Sequence, residues 1–211
     1  VNVHLFWADQ FEALSRQMRQ RDDSKRIAFL EATVREVADH GFSATSVGKI
    51  AKAAGLSPAT LYIYYEDKEQ LLLATFYYVS DQVIDAALDS FSRGKDLREG
   101  LRRQWHTLFR IGLERPELFR YHETFTHSAW MTPEIQARNE KRAANLLNAV
   151  DQGKQSGLIK PVPFPLLETF MFRPIYHLVQ RCLQGSFEGS DEHIELAFNM
   201  AWDAVADRRN T

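Results

Sequence analysis

The chain has 211 residues, 45% hydrophobic and 26% charged, with a formal net charge of -2. That balance fits a globular protein able to bury a core, and it excludes both a disordered chain and a uniformly basic nucleic-acid binder. The lone cysteine, Cys182, excludes an internal disulfide and a multi-thiolate metal cage.

The opening VNVHLFWADQFE has early acids and no basic segment before an apolar run, so no export signal is expected. No apolar run approaches the roughly 18–20 residues of a membrane span. The expectation is a cytoplasmic protein with no membrane partner.

Helical periodicity dominates, without period-two alternation of β-branched residues, and the chain reads as all-α. Val3, Trp7, Phe11, Leu14 and Met18 recur at spacings of four and three, predicting a first helix that ends in the charged run RQRDDSKR. A second helix is expected over 24–40, with Ile27, Leu30, Val34 and Val37 inward and Gly41 as a left-handed stop. Two short helices follow, over 45–54 and 57–64, with only Gly55 and Leu56 between them. A long helix over 67–91 opens on Asp67 and Gln70, the pattern of a capping box. Past the linker SRGKD, helices are expected over 96–114, 116–128, 133–156, 165–184 and 191–206. The chain divides on this reading into an N-terminal extension (1–23), a helix-turn-helix domain (24–70) and a larger helical domain (71–211).

The two short helices carry the chemistry. Val47, Ile50, Ala51 and Ala54 share one face of the first, Gly55 permits a sharp turn, and Ser57 and Pro58 open the second. Two helices joined this way are a helix-turn-helix unit. At about 100° per residue, with Leu61 inward, Ala59 and Ile63 form the outer ridge of the second helix. Thr60 and Tyr62 flank that ridge, Pro58 and Tyr64 sit near its edges, and Tyr65 turns back inward. Apolar atoms on such a ridge suit base edges in a major groove, and flanking hydroxyls suit phosphate oxygens.

Electrostatics agree. The 26 residues from His40 to Tyr65 contain no acid, while Lys49 and Lys52 are present. Lys68 in a first helical turn opposes the helix dipole by roughly 0.3–1 kcal/mol, a cost that a bound phosphate would turn into attraction. Thr45 and Ser46 could hold a second phosphate through hydroxyls and backbone N–H groups. The alternative for Thr45, Ser46 and Ser57 is plain helix capping.

The segment GFSATSVGKIAKAAGLSPATLYIYYEDKEQLL, residues 41–72, resembles the DNA-binding signature of tetracycline-repressor-type (TetR/AcrR) transcriptional regulators. The family pattern runs Gly, Thr-Thr-Val, Ile-Ala, Ala-Gly, Ser-x-Gly-Thr-Leu-Tyr-x-Tyr-Phe, Lys-Glu, Leu, and nearly every anchor appears here in order. Ala59 stands for the usual Gly, Tyr65 for Phe and Ser46 for the second Thr, and Gly48 weakens its helix slightly. The resemblance implies a recognition helix over 57–64, with Pro58, Ala59, Thr60, Tyr62, Ile63 and Tyr64 toward DNA, Lys68 on a phosphate, and Thr45 and Ser46 on the backbone. The Ala59 methyl bears on which base is read. The N-terminal extension is longer than the family usually carries. Its Arg16, Arg19, Arg21, Lys25 and Arg26 could reach DNA as a basic arm, or the helix could pack on its own protein or a partner subunit, since Asp22 and Asp23 sit among them.

The resemblance further implies a repressor, released from a palindromic double-stranded operator by a small effector held in the larger half. It also implies a homodimer built on the last two long helices. Two recognition helices are physically reasonable, because one alone buries too little surface for tight binding. Leu178, Cys182, Leu196, Phe198, Met200 and Trp202 offer apolar faces for that interface or for an intrachain core. Trp105, Phe109, His122, Phe125, Phe170, Tyr176 and His177 are the expected lining for a lipophilic or aromatic effector, although each aromatic also suits ordinary core packing. Pro174 falls inside an expected helix and could kink it.

A metal-hydrolase reading of His122, Glu123 and His127 fails on spacing. The two histidines are five apart, about 140° around a helix, where a zinc-protease pair stands four apart on one face. No catalytic residue, metal or cofactor is expected. The competing functional class is a helical small-molecule carrier or enzyme whose helix-turn-helix serves packing only.

Overall fold

The computed structural model describes the backbone of residues 3–207 and the side chains of residues 22–207. It is all-α. Eleven helices form among the described residues, with one isolated antiparallel bridge between Ile159 and Ala206. The chain packs as two compact units, Val1–Tyr78 and Val79–Thr211.

The first unit contains α1 (Val3–Ala44), α2 (Val47–Ala53), α3 (Pro58–Tyr64) and the start of α4 (Lys68–Ser92). The break expected at RQRDDSKR does not occur, and α1 runs through it. Arg, Gln, Lys and Asp all tolerate a helix interior, and no Gly or Pro interrupts the run. The expected stripe from Val3 to Met18 and the arm residues Arg16, Arg19 and Arg21 lie outside the described side chains. Regular helix ends at Gly41, where φ is 77°. Phe29, Leu30, Ala32, Ile50, Ala51, Leu61, Tyr65 and Leu71 form the core of this unit. Ile27, expected inward, is exposed instead, while Leu30, Val34 and Val37 are buried.

α4 opens as the capping pattern predicts: Asp67 Oδ1 accepts the Gln70 N–H at 2.7 Å, and Gln70 Oε1 accepts the Glu66 N–H at 2.8 Å. By length and composition α4 also passes as long and apolar enough to cross a membrane, which the run-length reading above does not anticipate. Its residues Leu71, Leu72, Phe76, Val79, Val83 and Ala87 recur at helical spacing and are all buried within the protein, as in a core helix.

The second unit holds the rest of α4 with α5 (Leu97–Glu114), α6 (Pro116–Thr126), α7 (Pro133–Arg142), α8 (Ala144–Gln155), α9 (Phe164–Met171), α10 (Arg173–Leu183) and α11 (Asp191–Val205). α5 packs against α6, α8, α10 and α11, and α9 packs against α10 and α11. Trp105 on α5 anchors this core, 6.1 Å from the Phe109 ring and 6.2 Å from the Phe198 ring. Two expected long helices are each divided. The helix expected over 133–156 breaks at Ala143 (ψ 7°), and the one expected over 165–184 breaks at Phe172, just ahead of Pro174. Pro174 lacks the N–H for an interior helical bond and disfavours helical geometry before it.

Candidate nucleic-acid interface

α2 and α3 are set by local chemistry. Ser46 Oγ accepts the Lys49 N–H at 3.3 Å and Ser57 Oγ accepts the Thr60 N–H at 3.1 Å, so each helix starts on a side-chain cap. Between them Gly55 takes φ 67°, which a side chain would strain. Leu61 is fully buried and Tyr65 is 5% exposed, fixing the inner face of α3.

The opposite face stands free of this unit's core. Ile63 is 76% exposed and Tyr62 56%, with Pro58 and Ala59 also exposed and Thr60 partly so. Ser57 Oγ and Thr60 Oγ1 lie 2.8 Å apart, forming a paired hydroxyl at the helix start. Lys49, exposed on α2, donates from Nζ to the Ala44 carbonyl at 2.8 Å. The surface is therefore an apolar ridge bordered by hydroxyls and ammonium groups.

Three predicted contacts are placed differently from expectation. Thr45 is buried, and its hydroxyl donates to the Gly41 carbonyl at 2.8 Å, filling an acceptor that the end of α1 leaves unpaired. Its side chain is thus withdrawn from a ligand. The Tyr64 hydroxyl donates to the Asp22 carboxylate on α1, and its ring lies 6.2 Å from Phe29. That bond to Asp22, with burial adding to it, pushes the Tyr64 pKa up to about 12. The Lys68 ammonium donates to the Phe42 carbonyl at 2.7 Å. The last two are long-range ties that sequence spacing does not display, whereas the Thr45 bond spans four residues.

In the second unit, the seven residues expected to line an effector pocket do not gather. Trp105, Phe109 and Phe125 are solidly buried core residues, and Phe125 stacks on Tyr121 at 6.3 Å. Phe170 is 53% exposed, and His177 is exposed as well. His122 and Tyr176 do meet, with Tyr176 Oη 3.4 Å from His122 Nδ1 and the Tyr176 ring 4.7 Å from Phe119. Burial pushes the Tyr176 hydroxyl up to about 12. Burial first, then Arg173 and His127, lowers His122 to about 4.

A cavity of about 540 Å³ lies elsewhere in this unit, among α5, the last turn of α4 and the start of α11. Phe109 is the one expected residue that lines it. Arg93, Arg102, Arg103, His106 and Arg110 line it too. The helical spacing of Arg102, Arg103, His106 and Arg110 on α5 is the sequence signal for this cluster.

The apolar residues expected on the last two helices divide between core and surface. Phe198 and Trp202 are buried in their own unit, while Leu196 and Met200, four apart on α11, are 57% and 68% exposed. Leu166 and Phe170, four apart on α9, are exposed in the same way.

A short exposed helix behind a capped turn, joined to an all-α second unit, defines a helix-turn-helix protein with a companion helical domain. Residues 29–75 match the model for bacterial regulatory proteins of the tetR family, and residues 97–206 match that for the tetracyclin repressor-like C-terminal domain. The chain belongs to this family. It is similar, at 99% identity, to a TetR family transcription regulator of solved structure from Marinobacter aquaeolei VT8, with TM-score 0.88 over 90% of this chain and 100% of that one. It is also similar to the HTH-type transcriptional regulator BetI of Rhizobium meliloti (strain 1021), 28% identical over 64% of this chain and 63% of that protein. The fatty acid metabolism regulator protein of Bacillus subtilis (strain 168) is 30% identical over 36% of this chain and 40% of its own. The matches to these two thus span less than two thirds of either protein.

Proposed function

We propose that this protein is a homodimeric repressor that reads a palindromic operator with α3 and leaves it when a small effector binds the second unit. The observation carrying this reading is the exposed ridge of Ala59 and Ile63 beside Tyr62, an apolar crest with no acid among the 26 residues around it. Ile63 and Ala59 meet base edges, and the hydroxyls of Tyr62, Ser57, Thr60 and Ser46 meet phosphates, with the backbone N–H of Thr45 and the ammonium of Lys68 beside them. Tyr64 serves instead to hold α3 against α1.

Dimerisation brings two such ridges to successive half-sites. The exposed pairs Leu196 and Met200 on α11, and Leu166 and Phe170 on α9, supply its apolar face. These two helices pack against each other. An effector lowers operator occupancy tenfold when it favours the non-binding arrangement by roughly 1.4 kcal/mol.

A gel shift against the DNA flanking the protein's own coding region tests this. Specific retention is expected for the unaltered chain, and Ile63→Asp is expected to abolish it with unchanged thermal melting, because Ile63 touches solvent rather than core. Absence of retention even at low salt would favour a small-molecule carrier or enzyme instead.

A further inference from the structure

We infer that the cavity at α5 is a binding site for an amphipathic anion, a molecule with one carboxylate, sulfonate or phosphate head on a compact apolar body. Its service as the effector site rests on the regulator reading above; the binding itself does not.

The walls carry four guanidiniums, from Arg93, Arg102, Arg103 and Arg110, while Asp191 is the one carboxylate among the lining residues described. The acids that balance three of these arginines stand outside the lining. Asp89 pairs Arg93, Glu99 pairs Arg103 at 2.8 Å, and Glu195 takes Arg102 Nε at 2.9 and 2.8 Å and Arg102 Nη2 at 2.8 Å. Those ties fix the guanidinium planes in place. Arg110 has no hydrogen-bond or ion-pair partner among the described residues and is the cation left for a ligand. Guanidinium is suited to that role, since its planar donors match the oxygens of a carboxylate or phosphate in pairs.

The head group has further donors. Thr107 Oγ1 donates to Ser90 Oγ at 2.8 Å, leaving the Ser90 hydroxyl hydrogen available on the cavity wall. The remaining lining, from Phe109, Leu113 and Ile194, is apolar and accepts a hydrocarbon or ring body. About 540 Å³ falls within the range of about 300–1,000 Å³ that small-molecule sites occupy. A neutral lipophilic molecule would leave the Arg110 guanidinium without an oxygen partner while displacing its water, so charge is part of the specificity.

The full chain is titrated by fluorescence with two probes of similar body, 1-anilinonaphthalene-8-sulfonate and the uncharged N-phenyl-1-naphthylamine. The sulfonate is expected to bind saturably, at least about tenfold more tightly than the neutral probe. Arg110→Glu and Ser90→Glu, each placing a carboxylate in the cavity, are expected to weaken it at least about tenfold, and Arg110→Lys far less. Arg110 is exposed, so its substitution is expected to leave melting unchanged. Equal affinity for both probes, or sulfonate affinity untouched in both Glu variants, overturns the inference. Gel shifts on the same preparations separate the two readings: retained DNA binding without a sulfonate site removes the cavity alone, and a sulfonate site without DNA binding removes the regulator alone.

Discussion

The Lys68 ammonium, at the first residue of α4, donates to the Phe42 carbonyl just past the bend at Gly41, 2.7 Å away. The bond crosses 26 positions of sequence and ties the two ends of the helix-turn-helix segment together. It gives Lys68 a structural duty beside any phosphate contact. Lys68→Met keeps the aliphatic stem and deletes the charge. A charged hydrogen bond to a carbonyl contributes about 1.5 kcal/mol at the lower end of its range, so a fall in stability of that order is expected on denaturant unfolding. The slope of log affinity for operator DNA against log salt is expected to shrink by about 1.8, one phosphate's worth from each subunit of the dimer. An unchanged slope would take Lys68 out of the interface and leave the brace alone.

Leu196→Asp with Met200→Asp tests the α11 surface. Both side chains are exposed in the isolated chain, so its folding should survive the change. In a symmetric pair four apolar side chains are lost, at about 1.5 kcal/mol or more each, which raises the dissociation constant at least about a thousandfold. Light scattering on a size-exclusion column is expected to report a dimer for the unaltered chain and a monomer for the variant. Operator retention should fall with it.

His122 makes stability depend on acidity. Burial lowers its pKa from 6.5 to about 4, so the unfolded chain binds the proton more readily than the folded one. Its stability contribution is complete above pH 6.5 and erodes as pH falls toward 4, where the loss levels off at roughly 3 kcal/mol. Melting curves between pH 7 and 4 should show that slope, and His122→Phe should flatten it. Imidazole proton shifts in NMR give an independent check: a His122 that titrates near 6.5 removes the argument.

The helix-turn-helix segment was legible because its determinants are local. A capping serine, a proline in the first turn and a glycine at the bend fix α3 within a dozen residues, and the buried Leu61 fixes which side faces out. The partners of Tyr64 and Lys68, Asp22 and Phe42, were not legible because they depend on how the chain folds back, while Thr45 turns to Gly41 four residues earlier. Helix ends inside 133–156 and 165–184 were missed because periodicity persists through a one-residue break. Aromatic content pointed to residues that mostly fill the core for a similar reason: Trp105 and Phe125 are buried, and no pattern of apolar residues separates filling a core from lining a cavity. Phe170 shows the converse, an apolar side chain that the core does not use.

One carboxylate, Glu195, reaches from α11 to α5 and is shared by Arg102 and His106, the latter at 2.9 Å. An incoming anion held by Arg110 leaves this carboxylate alone, and to recruit Arg102 as well it must displace an acid that the protein already supplies. Arg102, once won, is subtracted from the bond clamping those two helices, whereas Arg110 takes no part in it. Arg110 and Arg102 thus separate occupancy from helix pairing, and only an anion that reaches Arg102 loosens the clamp.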